Sequence, residues 1–224
     1  SFIESDYMAP KYDPFVEYFN SLPAWDGIDY IGYLAKTVQT PYPDMFNEAL
    51  KRFLVGSVAT LLDQDTVNDA VLIFQGAQGI GKTRWIRKLL PEKFRRDYLY
   101  ENHVDPTNKD DNINLSLYWF INLDELENFK GKYLNSMKAY ISRLRIKLRR
   151  AYGKKDAKYI RRASFLGSVN DEKFLSDMTG SRRWFIFKTL SIDYMHVVDI
   201  YRVWAQAKHL YVDGFEYWLD RESI

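Results

Sequence analysis

"VLIFQGAQGIGKTRWIRKLL", Val71 to Leu90, decides how this 224-residue chain is read. Val71 to Gln75 form a short, continuously apolar run, as expected of a strand covered on both faces. A glycine-rich turn follows, and Lys82 to Leu90 reads as a helix stopped by Pro91. Gly76, Ala77, Gln78, Gly79, Ile80, Gly81, Lys82 and Thr83 fit G-x-x-x-x-G-K-[ST] at every fixed position. Glycines let such a turn curl until successive N–H groups face a phosphate. Lys82 then reaches the outer phosphates, and the Thr83 hydroxyl takes a place on Mg²⁺. The expected ligand is ATP with Mg²⁺.

Outward from this unit, further apolar runs predict strands at "LYWFINL" (117–123), "ASFLGSV" (163–169) and "RWFIFK" (183–188), with helical patterns between them. Alternating strands and helices predict an α/β fold, a parallel-type sheet in a three-layer core. The N-terminal third reads helical. Asp13-Pro14 has the form of an N-cap and first turn, Ile31, Leu34, Ala35 and Val38 recur at helical spacing, and a long amphipathic stripe runs from Ala49 to Leu62. The expected division is a helical subdomain over 1–66 and the sheet-bearing core over 67–224. Ile200 to Tyr211 reads as a closing helix that ends near Gly214.

"NLDEL" places Asp124 and Glu125 at the carboxyl end of a buried strand, where open α/β sheets bind ligands. Asp124 is the expected Mg²⁺ arm, and Glu125 the group that polarises an attacking water, so the pair points to hydrolysis. The plainer reading is two acids capping the next helix. Asn170, ending "FLGSVN", puts an amide where the next strand emerges beside the acids, able to orient water or sense the γ-phosphate. Arg182 and Arg183, in "TGSRRW", are candidates for an arginine that neutralises transition-state charge; spacing does not say which of the two serves.

The formal net charge is only +2, with 32 basic and 30 acidic residues, yet Lys130 to Arg162 hold thirteen Lys or Arg against Asp156 alone. An acidic body therefore carries one cationic element, which points to a polyanion held at a defined place. Arg143, Arg145, Lys147 and Arg149 alternate with Leu144, Ile146 and Leu148, the period of a strand with one cationic face. Leu134, Met137, Ile141, Leu144 and Leu148 equally fit a helix that runs on. As a hairpin with Arg150, Lys154 and Lys155 at its tip, the element would hang from the nucleotide end and grip DNA through phosphates.

With no cysteine, three dispersed histidines and no apolar run near ~20 residues, the chain lacks a disulfide framework, a thiolate or histidine metal site and a membrane helix. A cytoplasmic protein is expected, and a first residue that is Ser suggests a piece of a longer one.

The ordered set of strand and glycine turn, "NLDE", "SVN" and "TGSRRW" resembles the virulence-associated protein E family, P-loop ATPases related to superfamily-3 helicases. "WDG" (Trp25 to Gly27) matches a family tripeptide. "RRAYG" (Arg149 to Gly153) is similar to an Arg-x-Pro-Tyr-Gly element, with Ala151 where proline is usual. "FLSDMTGSRRW" and "WAQAKHLYVDGFEYWL" resemble later family segments. The resemblance implies an AAA+-like core that assembles as a homo-oligomeric ring, a hexamer in the family pattern, working on DNA during replication of phage or mobile-element DNA. It also implies nucleotide and Mg²⁺ binding by Lys82 and Thr83, Walker B roles for Asp124 and Glu125, a sensor role for Asn170, and an arginine serving the adjacent subunit. The alternatives are a nucleotide-dependent switch that acts on a protein partner without translocating, and an RNA-directed ATPase.

Overall fold

The computed structural model describes residues 13–108, 111–124, 126, 132–149, 156–170 and 183–218. Glu125, Arg150, Lys154, Lys155 and Arg182 lie outside the described residues, as do the side chains of Lys147 and Arg149. The elements are α1 (Pro14–Ser21), α2 (Tyr30–Ala35), β1 (Val38–Gln39), α3 (Pro43–Leu62), β2 (Val71–Gln75), α4 (Lys82–Lys88), α5 (Glu92–Tyr98) and β3 (Leu99–Tyr100). There follow a 3₁₀ turn (Asp111–Ile113), α6 (Asn114–Leu117), β4 (Phe120–Leu123), α7 (Lys132–Ile141), β5 (Arg145–Arg149), β6 (Asp156–Ile160), β7 (Ser164–Val169), β8 (Trp184–Lys188), β9 (Ser191–Ile192) and α8 (Ile200–Val212).

Local chemistry starts and stops many of these. The Asp13 carboxylate accepts from the N–H groups of Phe15 and Val16, capping α1 with Pro14 in its first turn. Asp199 caps α8 in the same way, and Gly214 leaves that helix with φ +81°. Helix α2 stops one turn earlier than spacing predicts. Val38 leaves the helix and pairs with Ile192 in a two-stranded antiparallel ribbon, β1 with β9. Residues 114–117 are helical, so β4 begins only at Phe120.

The main sheet has five strands in the order β3-β4-β7-β2-β8, and every pairing is parallel. β2 is an interior strand, next to the β8 edge, and is fully buried. β7 lies between it and β4, so the ends of these three strands sit side by side. One apolar cluster covers one face, built from Leu72, Phe74, Phe120 and Leu166 with α1, α3, α4 and α8. The other face, with Ile73, Ile121, Phe165 and Val169, packs under α7 and Ile146 of β5. Helices on both faces of a parallel sheet give the expected layered α/β arrangement.

The two ends of the chain are locked together around α2. Gln206 of α8 is buried; its Oε1 accepts from Ile31 N–H (2.8 Å), and its Nε2 donates to Asp29 (2.8 Å), the residue that caps α2. Trp119 and Trp204 bury completely with ring centroids 4.7 Å apart. Their indole N–H groups donate to Ser57 and to the Leu89 carbonyl, which lets such large side chains bury without an orphan donor.

Candidate active site

Parallel strands point all their carboxyl ends to one edge, and of the sequence-predicted residues the glycine turn with Lys82, Asp124 and Asn170 gather there. Gly76 leaves β2 so close to the strand-exit segment after β8 that a Cβ would collide with the Thr189 carbonyl oxygen. Gly81 closes the turn at φ +100°, where a side chain would be strained and would also strike the Tyr194 ring. α4 then starts at Lys82. It is pinned by Trp85, which packs on Phe74 and donates its indole N–H to Thr37 Oγ1 (2.7 Å).

Lys82 is only 6 % exposed, and a buried ammonium must be hydrogen-bonded. Its Nζ donates to the carbonyl oxygens of Gly76 (2.6 Å) and Ala77 (2.9 Å) and to Asn170 Oδ1 (2.9 Å). Asn170 thus meets the glycine turn directly, from the end of the neighbouring strand. Two residues earlier on the same face of β7, the Ser168 hydroxyl donates to Asp124 Oδ1. The register explains that bond. Leu123 pairs with Gly167, so the next position on β4 stands opposite Ser168. β7 therefore touches both the lysine of the turn and the carboxylate of β4.

Ser168 was not singled out from the sequence. Its only signal there is a polar residue near the carboxyl end of a mostly apolar strand, two positions before Asn170. Among the described residues the donor set at this edge suits a hard cation on a polyphosphate: the oriented Asp124 carboxylate and the Thr83 hydroxyl next to Lys82, with no soft ligand. Among the described residues there is no cluster of three His, Cys, Asp or Glu that would make a self-sufficient metal cage. Mg²⁺ usually takes one or two carboxylates and completes its shell from substrate and water.

The cationic element and Arg183 occupy the other edge of the sheet. β5 pairs antiparallel with β6, from Arg145↔Ile160 to Arg149↔Asp156, so the alternating pattern is a hairpin and α7 stops at Ile141. Its root enters β7 at Ser164, the amino end of that strand. The hairpin therefore does not hang from the glycine turn, as expected, but lies at the opposite edge, roughly 16 Å of strand away. The three-residue link 161–163 from β6 into the amino end of β7 sets that place, and it is anchored by Arg161. Its fully buried guanidinium donates to the carbonyls of Ala163, Ile141, Arg143 and Asn68 and lies 5.0 Å over the Phe165 ring. Burial pulls its pKa down to about 9. Arg162 likewise turns inward, to the Leu61 carbonyl and Asp13.

Of the predicted contact residues with described side chains, half-buried Arg143 donates to Asn112 Oδ1, while exposed Arg145 pairs with exposed Asp65 at 2.5 Å. Arg183 precedes β8 and contacts Asp69 at 3.4 Å, the length of β8 away from the turn that β8 reaches at Lys188. It lies on the edge opposite its own chain's glycine turn.

A family model for the virulence-associated protein E-like domain matches residues 19–224. The chain belongs to that family. No curated protein matches it. Among solved structures, the virulence-associated protein E-like domain is similar to the apo structure of the NrS-1 C-terminal region, with a TM-score of 0.54 and 16% identity over 92% of this chain and 50% of that one. Two further structures of the same region, called its A form, give a TM-score of 0.52 at 14% and 15% identity, covering 85% and 92% of this chain and 45% and 49% of theirs. At such identity the likeness is one of fold, and the chain spans about half the length of the structures it matches.

Within the virulence-associated protein E-like domain, "WDG" is a structural turn. The Trp25 indole N–H donates to Ile28 O (2.7 Å), and Asp26 accepts from Ile28 N–H (3.2 Å) and the Tyr30 hydroxyl (2.9 Å). "WAQAKH" supplies the Gln206 lock on α2. Among the described residues no helix is long and apolar enough to cross a membrane.

Proposed function

We propose that this chain is an ATP-hydrolysing nucleic-acid motor module of the superfamily-3 helicase type, with a P-loop at Gly76–Thr83, used in replication of phage or mobile-element DNA. The observation that carries the proposal is the convergence of Lys82, Asn170 and Asp124 at the carboxyl ends of three adjacent parallel strands, joined through β7. The Gly76 and Ala77 carbonyls that hold the Lys82 ammonium are stand-ins for phosphate oxygens, which accept more strongly because they are charged.

On nucleotide binding Lys82 exchanges those carbonyls for the outer phosphates, and the turn's N–H groups close on them. Asp124, held by Ser168, and Thr83 would hold Mg²⁺, which supplies charge neutralisation on the β and γ phosphates. Glu125, by its place after Asp124, takes a proton from the attacking water, and Asn170 reports on the γ-phosphate through Lys82. Arg183 lies at the edge opposite its own turn, which supports service at a neighbour's nucleotide within a homo-oligomeric ring. Arg182 is the adjacent candidate for the same role. Leu190, Met195 and Val197 expose apolar surface on the segment that passes the turn, which also favours a neighbouring subunit.

The hairpin is the proposed grip on DNA. Its register pairs position 147 with position 158, so the basic residues of the sequence fall on both strands of the ribbon. Arg145, Lys147, Arg149, Arg150, Lys154 and Lys155 are the proposed phosphate contacts, while Arg143 anchors the hairpin root. The test is the ATPase rate with and without single-stranded DNA, beside Lys82→Ala. DNA-stimulated hydrolysis that vanishes in Lys82→Ala is expected. Hydrolysis that survives the substitution removes the nucleotide assignment.

A further inference from the structure

A cavity of about 270 Å³ lies between α2, β1 and the first turns of α3. No residue of its lining was singled out from the sequence for ligand chemistry. Its position follows from the ribbon. The Gln39 carbonyl accepts from Leu190 N–H (2.8 Å), and Thr37 O accepts from Asp193 N–H (2.8 Å). Thr189, next to Leu190, is the residue whose carbonyl lies against Gly76. One strand-exit segment therefore separates the cavity wall from the start of the glycine turn, and Trp85 ties α4 to Thr37 on the same ribbon.

We infer that this cavity receives the adenine ring of the nucleotide, an inference that rests on the phosphate-binding reading of Gly76–Thr83. Its volume falls just under the ~300–1,000 Å³ of pockets that enclose whole ligands, which suits one ring system whose polar tail lies outside. Ala35, Val38 and Pro43 give it apolar walls for the faces of a flat heterocycle, and Gln39, Thr40 and Asn47 give it polar edges.

Asn47 is the recognising group. Its amide oxygen is shut off from water and has no hydrogen-bond partner among the described residues. A carbonyl oxygen left in that condition is unfavourable, and the half-buried side chain has a terminal torsion soft enough to turn the amide toward a ligand. An Asn amide offers a donor and an acceptor side by side. That matches the N7 acceptor and N6 amino group of adenine, whereas guanine presents two acceptors there and calls for Arg or Lys. The one lysine of the lining, Lys36, instead places its ammonium over the Tyr33 ring at 5.8 Å.

The experiment measures binding of ATP, GTP and inorganic tripolyphosphate to the 224-residue chain by calorimetry, in the wild type, Asn47→Leu, Thr40→Phe and Lys82→Ala. Asn47→Leu removes the amide at similar volume, and Thr40→Phe fills the cavity from its rim. The wild type should prefer ATP to GTP. Both cavity variants should lose about tenfold or more in ATP affinity while binding tripolyphosphate as the wild type does. If the ATP to GTP ratio survives both changes, the base pocket is overturned while the phosphate site stands. If Lys82→Ala binds tripolyphosphate as tightly as the wild type, the phosphate site itself is wrong and this inference falls with it. Thr40→Phe keeps the question answerable should Asn47→Leu unfold.

Discussion

Removing the Ser168 hydroxyl isolates what holds Asp124 in place. Ser168 is 3 % exposed, and its Oγ donates to a carboxylate that faces solvent. Hydrogen bonds to charged groups contribute ~1.5–3 kcal/mol and ordinary ones ~0.5–1.5 kcal/mol. Because water competes for the exposed carboxylate, a value at the boundary applies, about 1–1.5 kcal/mol. That energy corresponds to an occupancy change of about 5- to 13-fold. In Ser168→Ala the loss should fall on the metal and not on the nucleotide, since the Lys82 contacts to Gly76, Ala77 and Asn170 do not involve Ser168. The assay is ATP hydrolysis at fixed ATP with Mg²⁺ titrated. The Mg²⁺ concentration at half-maximal rate should rise by the same factor, with most of the rate restored at saturation. A Mg²⁺ curve that superimposes on the wild type refutes the argument, because Asp124 would then not be the metal arm or Ser168 would not hold it.

Three other outcomes follow from separate parts of the fold. Glutamate at Arg145, Lys147 and Arg149 together should weaken single-stranded DNA binding and reduce the slope of log affinity against log salt by about 2, at ~0.7 per lost phosphate contact; an unchanged slope in a salt titration rules out the hairpin as the grip. Asn122 is 1 % exposed within β4, and neither end of its amide has a partner among the described residues. Asn122→Leu should therefore raise unfolding free energy in denaturant titration by about 1–3 kcal/mol, and a fall would show that the amide is satisfied. Burial and the charge of Lys88 hold the His196 imidazole below its ordinary pKa. The unfolded chain protonates near ~6.5 while the fold resists until lower pH, so stability is complete above ~6.5 and drains as pH falls toward the depressed folded value. His196→Gln should flatten that loss between pH 7 and 5, and equal pH dependence of unfolding in the two proteins would refute the assignment.

Some of the structure was legible because its causes are local. Asp13 and Pro14 start α1 through bonds that span three residues. The glycine turn and the helix after it follow from backbone permissiveness at fixed spacing, and the four apolar runs each contain a strand of the sheet. Other features left no local trace. β1 and β9 are two residues each, and Val38 stood at good helical spacing until its pairing with Ile192 took precedence. The run through Arg143 to Arg149 fitted helix and strand alike. In the fold it pairs with β6 as a strand, and the Arg161 guanidinium takes the Ile141 carbonyl left free at the end of α7. Ser168, Asn47 and Asn122 look unremarkable in one dimension, because their roles depend on which strand or cavity lies beside them.

From the residues alone came a phosphate-type glycine turn after a buried strand, an acid at a strand end, an amide at another, and a concentrated block of positive charge. Periodicity and turn chemistry are enough to place such features on their own elements. Strand order and polarity lay beyond them. Only the pairing of β7 between β2 and β4 brings Lys82, Asn170 and Asp124 to one edge and sends the cationic hairpin and Arg183 to the other. That choice depends on which apolar faces bury against each other across distant parts of the chain, an energy no short window of sequence contains.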